Sequence, residues 1–175
     1  PRLTPELRRR WFELWDPAHR LGNIACPTLF FSGSNDFAFP FDALRKSYRA
    51  VPAAGRRLSV RLAYPHNHTE CWSEETVFDF AAASLEGRAL PSLARPEIAG
   101  ETVRCGFDAA GAGGVSGVLN FTRASGMWPD RAWSSVPARI EGGAFTAPLP
   151  RGAKAVFFNL LTADGRCYSS EFIEC

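Results

Sequence analysis

The sequence predicts an α/β fold with a parallel sheet over residues 1–90, a linker at 91–100, and a small antiparallel β-sandwich at 101–175. Two observations predict it. Up to about residue 87 the apolar pattern alternates helix, strand, helix, strand, helix, the order that builds a parallel sheet covered by helices. After "RALPSLARPEIAG", 88–100, which is rich in Pro and Gly and lacks periodicity, the period changes to two. The length of 175 residues also exceeds the roughly 150 of a single-domain prior, in keeping with two units.

The first helix is expected at "PELRRRWFELW", 5–15, where Leu7, Trp11, Leu14 and Trp15 fall at helical spacing and Asp16-Pro17 ends the run. "PTLFFSG", 27–33, reads as a short strand buried on both faces, the kind found in parallel sheets. "FDALRKSYRAV", 41–51, puts Leu44, Tyr48 and Val51 on one helix face before Pro52. "RRLSVRLAYP", 56–65, reads as the next strand, and "SEETVFDFAAASLEG", 73–87, as an amphipathic helix begun at Ser73 and closed by Gly87. Beyond residue 100, successive strands are separated by turns at Gly126, Glu141-Gly142-Gly143 and Ala163-Asp164-Gly165. Trp128, Trp133, Phe145, Phe157 and Phe158 are expected to fill the core of the sandwich, in preference to forming a sugar-binding platform.

Composition narrows the function classes. An apolar share of 46% fills a globular core, and a net charge of +2 argues against a nucleic-acid partner. The basic triplet Arg8, Arg9, Arg10 has no aromatic stacking platform beside it and reads as a solvated helix face. Five cysteines without a C-x-x-C pair disfavour a zinc site and indicate no disulfide framework, although a Cys105–Cys167 bridge is one arrangement the count allows. No apolar run approaches the roughly 18 residues of a membrane span, so no membrane partner is expected. No cofactor is implied.

Chemistry concentrates at two strand ends. Parallel sheets place function just beyond the carboxyl ends of their strands. There "SGSNDFAFP" supplies Asp36, able to orient an imidazole, although Asn35-Asp36 also suits a simple turn. The next strand ends at Pro65 and presents His66 and His68, two of the chain's three histidines. An acid followed by a histidine at successive strand ends is the order of the second half of an α/β-hydrolase triad. His-x-His with Glu70 could instead hold a metal, and both histidines could be structural, but the first is a weak motif without a further ligand.

"WDPAHRLGNIACPTLFFSGSNDFAFPFDALRKSYRAVP" followed by "LSVRLAYPHNHTECW" resembles the C-terminal part of bacterial α/β-hydrolases of the acetylxylan-esterase and prolyl-oligopeptidase-like, dienelactone-hydrolase-related group. Members carry a Trp-Asp-Pro before the strand, an Asn-Asp-Phe-Ala-Tyr-Pro-like acid loop, a Pro-His-Gly-His-x-x-Gly-Trp-like histidine loop and a β-sandwich appendage. The resemblance is strongest over 15–72 and looser over 94–175. It implies an α/β-hydrolase sheet followed by an immunoglobulin- or fibronectin-like sandwich, with Asp36 as triad acid and one of His66 and His68 as base. His68 is favoured, because related hydrolases carry the base a few residues past the proline that closes the strand, whereas His66 abuts Pro65. Asn67 and Cys71 stand where the family has glycines, so a reshaped loop is expected.

A nucleophile is missing. No G-x-S-x-G occurs, Ser32 and Ser34 lie on the acid's own strand, and Ser116 sits among turn-forming glycines of the second unit. By the family's order the elbow serine and oxyanion loop precede residue 1. The resemblance therefore implies a C-terminal piece of a serine hydrolase, inactive alone, acting on a small-molecule or carbohydrate ester. A peptidase, or a non-catalytic binding module on a relic hydrolase fold, is the alternative. A periplasmic or secreted location would follow from a signal peptide upstream.

Overall fold

A computed structural model describes residues 3–175. Helix α1, Pro5–Trp15, starts where the Thr4 hydroxyl accepts from the Leu7 N–H (3.3 Å), and Pro5 costs no hydrogen bond in the first turn. Asp16 ends it and caps the following short 3₁₀ turn by accepting from the Ala18 N–H. The expected apolar face exists but has no partner among the described residues: Trp11 and Leu14 are each 52% exposed and Trp15 69%.

Strands β1, Thr28–Gly33, and β2, Arg56–Arg61, pair in parallel from Thr28↔Arg56 to Gly33↔Arg61, with helix α2, Phe41–Ala50, as the crossover. Only Ser32 and Gly33 of β1 are buried, the other four residues being half-buried. The expectation of a strand buried on both faces is corrected here, because the sheet has two strands and the outer edge of β1 has no neighbouring strand among the described residues. Helix α3, His68–Cys71, and helix α4, Glu75–Glu86, follow; Gly87, at φ 67°, closes α4 as expected.

The rest is one antiparallel sheet of nine strands, nearly closed into a barrel: β3 Ser92–Leu93, β4 Glu97–Ala99, β5 Thr102–Asp108, β6 Ser116–Thr122, β7 Trp133–Glu141, β8 Ala144–Pro148, β9 Ala155–Leu161, β10 Cys167–Ser169 and β11 Ile173–Glu174. The order is β10-β9-β6-β7-β8-β5-β3, with β11 on β9 and β4 on β5. Two expectations change. Instead of two separate sheets there is a continuous path, because β7 is long enough to pair β6 through Trp133–Ala138 and β8 through Arg139–Glu141. Residues 91–100 are not a free linker, since β3 and β4 lie in that stretch and both pair β5. The β7–β8 hairpin turns at Gly142 and Gly143, both at positive φ, as its sequence required.

The α/β part and the barrel share their cores. Phe41, Leu58 and Val60 pack with Ala155, Phe157 and Phe172, while Ala83 and Leu90 join the barrel's own interior. The outer edge of β2 is closed by side chains: Ser169 Oγ accepts from the Val60 N–H at 2.7 Å, and Asn159 Nδ2 donates to the Val60 carbonyl at 3.1 Å. Phe145, Phe157 and Phe158 are fully buried, and Trp128 and Trp133 pack beside Phe41, so these aromatics are core. All five cysteines are free; burial pushes the Cys105 thiol up to about 12 and the Cys167 thiol up to about 11.

Candidate active site

Parallel pairing brings the ends of β1 and β2 to the same edge of the sheet. The acid and histidine loops leave from there side by side. Their approach depends on Gly33: an ideal β-carbon at this position would lie 2.3 Å from the Tyr64 carbonyl oxygen. The histidine loop begins with Ala63 at φ 50°, its N–H donating to Ser34 Oγ at 3.1 Å, and continues through Tyr64 and Pro65 to His66.

Asp36 is 6% exposed and its two oxygens are divided between two tasks. Oδ1 accepts from the N–H groups of Ala38 and Phe39, both at 2.8 Å, which turns the acid loop around the carboxylate. Oδ2 meets His66 Nδ1 at 2.9 Å and accepts from the Ser32 hydroxyl at 3.2 Å. Burial pushes the carboxyl up, but the bond to His66 and the Phe39 and Ala38 N–H groups together hold it below the ordinary carboxylate value. An ionised carboxylate can only accept, so Nδ1 of neutral His66 carries the proton and Nε2 keeps its lone pair.

The imidazole is partly open, its side chain 38% exposed, between the rings of Phe37 and Phe39 at centroid distances of 5.1 and 5.7 Å. It lines an open cavity of about 430 Å³ together with Phe31, Asp36, Tyr64, His68 and Cys71. Such an arrangement can take a proton at Nε2 from a group entering the cavity and stabilise the resulting imidazolium through Asp36.

The structure brings His66, and not His68, into contact with Asp36. Asn67 is extended (φ −151°), and its Oδ1 accepts from the Glu70 N–H at 3.1 Å, capping α3. His68 thereby becomes the first residue of α3, its carbonyl engaged by the Trp72 N–H, while His66 stays in the preceding stretch against Asp36. Asn67 and Cys71 are absent from the non-glycine residues with positive φ, so the glycines expected there are not required by this loop. His66 and His68 are not joined by further ligands: among the described residues no group of three or more His, Cys, Asp or Glu side chains could hold a metal ion.

Several contributors escaped the sequence reading. Ser32, Asn35, Phe37, Phe39 and Tyr64 each touch or fix the Asp36–His66 pair or its loops, and only the compact "SGSND" signalled a crowded turn. Among the described residues, Asp36 is the sole hydrogen-bond partner of the His66 ring. No protein-family model matches the sequence, and neither a curated protein nor a solved structure matches it.

Proposed function

We propose that Asp36 and His66 are the acid and base of a serine hydrolase of the α/β-hydrolase kind, acting on a carboxylic ester, with the nucleophilic serine supplied by polypeptide outside residues 1–175. The observation that carries this reading is the 2.9 Å contact between Asp36 Oδ2 and His66 Nδ1 at the carboxyl edge of parallel strands, in the order acid then histidine. Among the described residues the outer edge of β1 is open and the apolar stripe of α1 has no partner, and both support it further. Both suit a sheet that continues beyond β1 and a helix packed on that continuation.

In the reaction, the serine Oγ–H proton passes to His66 Nε2 as Oγ bonds to the ester carbonyl carbon. Asp36 stabilises the imidazolium. Collapse of the tetrahedral species breaks the carbon–alkoxide bond, and the proton on Nε2 leaves with the alcohol. Water repeats the sequence on the acyl-enzyme and returns free serine. The resemblance of the two loops to the esterase branch favours a carboxylic ester over a peptide, with acetylated carbohydrate one such substrate.

The test is to express this chain extended to the start of its open reading frame and to assay p-nitrophenyl acetate hydrolysis together with labelling by a fluorophosphonate. Turnover with the label on a serine before residue 1 is expected. A folded extended protein with neither would leave Asp36 and His66 as a relic pair and favour a non-catalytic binding module.

A further inference from the structure

We propose that the barrel positions the acid–histidine pair, and does so through Asn35. The Asn35 amide donates from Nδ2 to two barrel carbonyls, those of Pro129 and Arg131, both at 2.8 Å. Its Oδ1 accepts from the Ser34 hydroxyl at 2.7 Å, and that hydroxyl oxygen in turn accepts from the Ala63 N–H, three residues before His66. One side chain thus joins the barrel, the acid loop and the histidine loop. Asp36 is the next residue along, so its direction follows from where Asn35 is held.

The barrel end of this connection is itself fixed. Residues Trp128–Asp130 form a 3₁₀ turn, and the Arg131 guanidinium lies 3.6 Å over the Trp128 ring and donates to the Gly126 carbonyl. Trp128 packs against Phe172 and Phe41 at centroid distances of 4.2 and 6.1 Å, which ties the turn to the shared core. The two carbonyls therefore present a rigid pair of acceptors. Only an amide matches them while also accepting from Ser34. The near-isosteric Asn35→Asp would set a carboxylate oxygen against both carbonyls and remove both donors.

This inference rests on the reading of Asp36 and His66 as acid and base, but its test reads the pair itself and is independent of turnover. Long-range ¹H–¹⁵N correlation of the ¹⁵N-labelled chain, at a pH where His66 is neutral, reports which ring nitrogen carries the proton, with His66→Gln assigning the signals. The Nδ1–H tautomer is expected to dominate in the parent. Asn35→Asp and Asn35→Ala are expected to lose that dominance and show the Nε2–H form while retaining the parent's far-UV circular dichroism. A parent-like tautomer in both folded variants would overturn the inference. Unfolding of both would overturn it too, in favour of a purely structural role for Asn35.

Discussion

Gly33 and the carbonyl of Tyr64 are in contact so close that no β-carbon fits between them: it would sit 2.3 Å from the oxygen. This contact is where the strand bearing the acid and the loop bearing the histidine meet. Gly33→Ala is therefore expected to cost about 1–3 kcal/mol through overpacking against backbone that cannot move freely. Urea denaturation checks the magnitude. A variant as stable as the parent would mean that the loops separate without penalty.

Ala63 lies at φ 50°, a region that L side chains enter at a cost of roughly 1 kcal/mol. It is exposed, so packing does not complicate a change. Ala63→Gly is expected to be neutral or to stabilise by up to about 1 kcal/mol, relief of strain being partly offset by the greater freedom of glycine when unfolded. Ala63→Val is expected to destabilise. Thermal melts of the two variants should move in opposite directions or differ clearly in size.

The pH dependence follows from the sign of the Asp36 shift. Its folded carboxyl titrates below the ordinary value of 3.8. The stabilisation is present in full above that value and is lost as pH falls through the lower folded one. Parent and Asp36→Asn should differ most near neutral pH, and the difference should shrink on acidification below about pH 4. Denaturation at neutral and strongly acidic pH tests this; a gap independent of pH would contradict it.

The docking of β2 on the barrel rests on Asn159 and Ser169, which satisfy both main-chain groups of Val60 and bond each other at 2.7 Å. Asn159→Ala removes the shorter bond to the buried Val60 carbonyl, leaving it only the 3.4 Å contact from the Ser169 hydroxyl, and is expected to cost about 1–3 kcal/mol. Amide exchange should accelerate in β1 and β2 before the barrel responds. Uniform acceleration throughout the chain would argue against a separable docking contact.

Local signals carried much of this in the sequence. The period of α1, α2 and α4, the cap at Gly87, and the glycines of the β7–β8 hairpin each depend on neighbours within a few residues. Asp36 was legible for the same reason, standing at the end of an apolar strand. The choice between His66 and His68 was not, because it depends on Asn67 starting a helix at His68 and on Gly33 drawing Tyr64 close. A sandwich is the expectation from sequence because the continuity of the barrel lies in the change of partner along β7, and hydrophobic alternation is blind to where a strand changes partner. The role of Asn35 depends on carbonyls more than ninety positions away. No local pattern encodes it.

The assignment is tested most directly by comparing His66→Ala with His68→Ala in the upstream-extended chain proposed above, reading fluorophosphonate labelling and p-nitrophenyl acetate turnover. His66→Ala is expected to lower both by several orders of magnitude, about the effect of removing a triad member. His68→Ala is expected to retain most of the activity. Activity that survives the loss of His66, or is lost with His68 instead, would contradict the assignment of His66 as the base oriented by Asp36.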